Sequence, residues 1–73
     1  MKKEKLGFDK TGAIIAAGDT VEVGDPKEGD IHQHSFQGTV HEIDNDKQTA
    51  VIVDMDGEYF EVDWDNVEIV GED

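Results

Sequence analysis

Cysteine and arginine are absent, and proline, serine, tryptophan and tyrosine occur once each, as Pro26, Ser35, Trp64 and Tyr59. Without cysteine no disulfide or thiolate metal site can staple the fold, and thiol chemistry is excluded. No apolar run approaches the roughly 20 residues that span a membrane. The longest, Ala13-Ile14-Ile15-Ala16-Ala17, is closed by Gly18-Asp19. It has the composition for a helix but is too short and uncapped for one. Met1-Lys2-Lys3-Glu4-Lys5 carries the charge of a signal-peptide start, but no continuous apolar region follows it. A soluble, cytoplasmic chain is therefore expected.

What is abundant is negative charge. Nineteen acidic residues stand against six lysines, a formal net charge of −13. The first ten residues hold four lysines and two acids, or +2; residues 11–73 hold two lysines and seventeen acids, or −15. Affinity for nucleic acid comes from basic side chains that neutralise phosphates, so this surface should repel it, and anionic membrane as well. It favours basic partners and cations. The same charge also keeps a small protein soluble and monomeric. A chain of 73 residues is one domain, and a domain this small buries only about 60% of the surface its unfolded chain exposes. Its core must come from the apolar faces of strands.

Those faces are legible from Gly18 to Val70. Val21 and Val23 alternate with Thr20 and Glu22, the period of a half-buried strand. Gly24 to Ser35 is a long polar loop with Pro26. Phe36 to Ile43 reads as a second strand, in which Gly38 suggests a bulge or a close backbone approach. Asp44-Asn45-Asp46-Lys47 is a turn, Thr49 to Met55 a third strand, Asp56-Gly57 a hairpin signal, and Tyr59 to Trp64 a fourth strand. Asp65-Asn66 reads as a single helical turn before a short closing strand at 67–70. Residues 1–12 read as a flexible basic lead, with a turn over Phe8 to Gly12, and residues 13–73 as the single domain. The expected core is Val21, Val23, Val40, Val51, Val53, Phe60, Val62, Trp64, Val67 and Ile69. The pattern predicts an all-β, five-stranded antiparallel barrel.

Strand, long loop, three meander strands, one-turn helix and short last strand together resemble an SH3-like (Tudor-like) barrel. Gly18-Asp19-Thr20-Val21 resembles the first strand of such barrels, and Phe36-Gln37-Gly38-Thr39-Val40 the second. Asp9-Lys10-Thr11-Gly12-Ala13-Ile14, leading into Gly18, also resembles the opening of small uncharacterised bacterial and phage proteins. The fold hosts unrelated functions, so the resemblance implies architecture rather than activity. Tudor-like barrels are known for aromatic cages that hold methylated lysine or arginine. Phe36, Tyr59 and Phe8, with Glu61 or Asp63, are the residues such a cage would draw on, but a cage needs two to four clustered rings. The chain has five aromatics, and Phe60 and Trp64 are assigned to the core.

Chemistry is otherwise sparse. His32 and His34, two apart in an extended segment with Asp30 beside them, have the donor types to hold Zn²⁺ or Ni²⁺, with His41 of the next strand as a further candidate ligand. Solvated loop histidines are the simpler reading. Asp54-Met55-Asp56-Gly57-Glu58 has the composition of a calcium loop but fails its register, because Ile52 falls where the first carboxylate belongs. A hairpin accounts for it. Ser35 lacks the glycines of a nucleophile elbow, and Gly24 to Gly29 is not followed by the residues of a phosphate loop. No enzyme and no cofactor are expected. The reading is a non-catalytic acidic module whose partner is a basic protein surface. Phe36, Glu58, Tyr59, Glu61, Asp63 and Asp65 form its binding face, with Glu68 and His34 beside it. The alternatives are a mimic that occupies a DNA-binding protein and a weak metal-binding module on Asp30, His32 and His34.

Overall fold

A computed structural model of the chain describes residues 6–26, 32 and 34–70. It is all-β, with seven strands: β1 (Leu6–Phe8), β2 (Ile14–Ala16), β3 (Thr20–Val23), β4 (Phe36–Asp44), β5 (Thr49–Val53), β6 (Tyr59–Asp63) and β7 (Val67–Ile69). A single 3₁₀ turn, Trp64–Asn66, joins β6 to β7. β1 and β2 pair as a hairpin, and the other five strands form one antiparallel sheet in the order β6-β5-β4-β3-β7. The antiparallel set and the turn before the last strand are as the sequence predicts. β6 and β7 stand at the two ends of the sheet, and no ladder joins them among the described residues.

The core is Ile15, Val21, Val23, Val40, Ile43, Ala50, Ile52, Val62 and Val67, with Phe36, Phe60, Trp64 and Ile69 packed partly against it. Two expectations change. Val51 and Val53 are not buried; Ala50 and Ile52 are. β5 is paired on both sides and apolar on both faces, so alternation within it does not say which face turns inward. Ile43 joins the core because the β4–β5 register shifts between Val40 and Glu42. That bulge at His41 reverses the parity of β4, so Val40 and Ile43 both face in and Glu42 faces out.

The lead read as residues 1–12 is in part a strand. β1 pairs with β2 in the register Leu6↔Ala16, Gly7↔Ile15, Phe8↔Ile14. The expected boundary after Gly12 falls inside the hairpin turn. The turn is built on Asp9, whose Oδ1 accepts from the Thr11 backbone N–H (2.9 Å), the Thr11 hydroxyl (2.7 Å) and the Ala13 N–H (2.8 Å). Its Oδ2 accepts from the Ile69 N–H at 2.8 Å, and the Lys10 N–H donates to the Val67 carbonyl at 2.9 Å. The hairpin thus occupies the edge of β7 that β3 leaves open, which protects it from pairing with another chain.

The same device recurs at the other turns. Asp44 Oδ1 accepts the N–H groups of Asp46 and Lys47, both at 3.0 Å. Asp54 Oδ1 accepts those of Asp56 (2.9 Å) and Glu58 (2.8 Å), and Gly57 takes φ 86° between them. Aspartate suits this position because its short carboxylate bonds the backbone two residues on. The calcium-like run is therefore a hairpin turn whose first acid is spent on its own backbone. Gly38 answers to close approach: a Cβ there would overlap the Val53 carbonyl and the Ile52 side chain.

Candidate functional site

Alternation along β6 sets the site. Phe60 and Val62 turn inward, so Tyr59, Glu61 and Asp63 share the outward face, and all three are exposed. β6 pairs only with β5, leaving its other edge open among the described residues. Beyond it, the 3₁₀ turn presents exposed Asp65, and the β5–β6 turn presents exposed Glu58. Five of the six residues read from sequence as the binding face therefore form one strip, from Glu58 to Asp65. The sixth does not join it. Phe36 lies on the inward side, with ring centroids 5.3 Å from Phe60 and 5.5 Å from His32.

The strip has distinct ends. At one, Tyr59 meets the His41 ring edge-to-face at 4.9 Å across β5, and Met55 stands exposed in the preceding turn. In the middle, Glu61 Oε2 accepts from the Thr49 hydroxyl at 2.8 Å and lies 3.6 Å from Lys47 Nζ. The strip's register neighbours on β4 and β5 carry Glu42 beside Val51, and Asp44 beside Thr49. At the far end, Asp63 and Asp65 flank a cleft of about 310 Å³ lined also by Phe8, Asp9, Lys47, Gln48 and Trp64. Phe8 and Trp64 meet edge-to-face at 6.1 Å. The Trp64 indole is fixed by its N–H, which donates to the Thr49 carbonyl at 2.8 Å, and by Gly7, where a Cβ would come within 2.7 Å of the ring.

Asp9 forms part of that cleft wall with its carboxylate committed. Burial alone would push its carboxyl up. The hydrogen bonds from the Ile69 N–H, the Thr11 hydroxyl and the Ala13 and Thr11 N–H groups outweigh burial and hold it below the usual carboxylate range.

The histidines separate. His32 is buried against Phe36 and Phe60, and its Nε2–H donates to the Gly24 carbonyl at 2.9 Å. His34 is exposed, with Nδ1–H donating to the Ser35 carbonyl at 3.0 Å. Asp30 lies outside the described residues. No three His, Asp or Glu side chains converge on a metal-sized site among the described residues. His41 is engaged with Tyr59 rather than with either loop histidine.

The sequence reading does not find the cleft: it places Phe8 in a turn, Lys47 at the end of the turn at 44–47 and Trp64 in the core, and assigns Gln48 to neither. One signal could have found it: Asp9-Lys10-Thr11-Gly12 has the side-chain-capped turn chemistry that folds Phe8 back onto the body of the sheet. Comparison of the chain with protein-family models, with curated proteins and with solved structures finds no match.

Proposed function

We propose that this chain is a small SH3-like barrel that acts as a non-catalytic module and binds a basic protein surface. The barrel reading is supported by connectivity. Four strands run as a meander, β3 to β6, a 3₁₀ turn follows, and the last strand returns to pair with the first, Val21↔Ile69 and Val23↔Val67. That is the order of elements on which the sequence resemblance rests.

One observation carries the binding reading. Tyr59, Glu61, Asp63 and Asp65 stand exposed along one edge strand, open among the described residues, and the turn beyond it, with Lys47 paired to Glu61. An aromatic anchor ringed by like charge suits a cationic surface, and complementary charge raises association rates. A phosphate backbone would be repelled by the same strip. In this reading the module is a cytoplasmic monomer, since a net charge of −13 opposes self-association.

Affinity capture from a native lysate at low and at high salt tests it. The expected result is salt-sensitive capture of a basic protein. Replacing Glu61, Asp63 and Asp65 together by their amides should slow association with that protein by about tenfold or more and leave the fold intact. Micromolar binding of the isolated chain to DNA or RNA at physiological salt would overturn the reading.

A further inference from the structure

The cleft at the far end of the strip has more specific chemistry than the strip itself. Its walls come from four separate parts of the chain: Phe8 and Asp9 from the hairpin, Lys47 and Gln48 from the β4–β5 turn, Asp63 from the end of β6, and Trp64 and Asp65 from the 3₁₀ turn. At about 310 Å³ it sits at the lower end of ligand-pocket sizes, of order 300 Å³ and upward, and suits one long side chain rather than a large ligand. It combines two aromatic rings with two exposed carboxylates on either side of Trp64. The indole is held in place by the Thr49 carbonyl and by the Gly7 backbone, so the ring is preorganised before any ligand arrives.

We infer that this cleft binds a guanidinium group, the side chain of an arginine presented by the basic partner. The inference deepens the proposed function and rests on it only for the source of the arginine. A planar guanidinium is weakly hydrated, stacks on aromatic faces and offers five N–H donors in a fixed fork. Phe8 and Trp64 supply the ring surfaces, and Asp63 and Asp65 supply acceptors and charge. A lysine ammonium is a compact, strongly hydrated point charge and would lose more of its water against these rings.

One cation of the chain stands beside this site. Lys47 lines the cleft, and its ammonium lies 3.6 Å from Glu61, which is not part of the cleft wall. It is a like charge that an incoming guanidinium must tolerate. Removing it should therefore strengthen binding, the opposite of what loss of a wall residue normally does. Leu6 and Phe8, paired across β1 and β2 with Ala16 and Ile14, place an exposed apolar ledge beside the cleft.

Trp64 is the only tryptophan, so its fluorescence reports this cleft and no other part of the chain. The full-length protein is titrated with N-acetylarginine amide, with the lysine analogue, and with the citrulline analogue, which matches arginine in shape but is neutral. The expected result is a saturable change with arginine, a weaker one with lysine and none with citrulline. Asp63→Asn combined with Asp65→Asn should weaken the arginine response by about tenfold, a loss that corresponds to about 1.4 kcal/mol. Lys47→Ala should tighten it. No saturable change, or an equal response to citrulline, would overturn the cleft as a cation site. An equal response to lysine would overturn the guanidinium assignment. A Lys47→Ala variant that binds arginine less well would overturn the role given to Lys47. Near-ultraviolet circular dichroism of each variant verifies that Trp64 is still packed. The module reading is tested separately: if a partner captured from lysate still dissociates with salt and still responds to Glu61→Gln and Tyr59→Ala, the strip functions without the cleft.

Discussion

Replacing Asp9 by alanine would leave the Ile69, Thr11 and Ala13 N–H groups without their acceptor at a position where little water reaches. A buried donor left unsatisfied costs about 1–3 kcal/mol, and only part of this turn can relax, so Asp9→Ala should destabilise by about 3 kcal/mol. Asp9→Asn should be damaging too, because its amide turns a donor towards backbone donors. The pH dependence has a definite sign. The Asp9 carboxyl is held below its ordinary range, so its contribution is fully present above the unfolded value of about 3.9 and is lost as pH falls through the lower folded value. The stability gap between the wild type and Asp9→Asn should therefore stay constant from neutral pH down to the ordinary carboxylate range and narrow below it. Urea midpoints of both proteins across that range check this. A gap that narrowed above pH 5 would point to a different group. Gly7 makes a second test at this scale. A methyl there would meet the Trp64 ring at 2.7 Å, so Gly7→Ala should shift the tryptophan emission and lower stability by about 1–3 kcal/mol, as overpacking does.

Among the elements, β5 best separates what pattern can decide from what it cannot. Ile52 is fully buried and Val51 is only partly buried, on the opposite face. Ile52→Ala should cost about 3 kcal/mol and Val51→Ala about 1 kcal/mol or less, measured by chemical denaturation. Equal costs would mean that β5 is turned the other way. The sequence predicts β3, β4, β5 and β6 because each is an alternating or apolar run bounded by turn residues. It predicts Tyr59, Glu61 and Asp63 on one face because Phe60 and Val62 leave no other choice. It fails at β5 because Ala50-Val51-Ile52-Val53 is apolar on both sides. It fails at β4 because an inserted residue at His41 is invisible to a period of two. The hairpin β1–β2 is missed for a different reason: each strand is three residues long, and its stability comes from Asp9 reaching across to β7, a contact 60 residues away in sequence. The cleft needs that hairpin in place, so it could not be read before the hairpin was known.

For the whole molecule, charge must be divided by use. Asp9, Asp19, Asp44 and Asp54 accept backbone hydrogen bonds that close turns, so part of the acid content serves the fold directly. The other acids among the described residues are mostly solvent-facing, and two lysine pairs there, Lys10 with Glu68 and Lys47 with Glu61, each at 3.6 Å, offset little of their charge. Exposed pairs at that distance contribute about 0–1 kcal/mol each, whereas a net charge of −13 on so small a body repels itself at every point. Screening weakens that repulsion, since the Debye length falls from about 30 Å at 0.01 M to about 10 Å at 0.1 M. The melting temperature should accordingly rise between about 10 and 300 mM sodium chloride. Acid acts on the hairpin: protonating Asp9 removes the acceptor that holds it, so stability should be lost as the pH falls below the ordinary carboxylate range. Thermal melts at fixed ionic strength from pH 8 to about pH 3 follow that loss. A melting temperature that ignored salt would mean that the exposed acids are already compensated. The strip from Glu58 to Asp65 would then lose the unbalanced field on which its attraction for a basic partner depends.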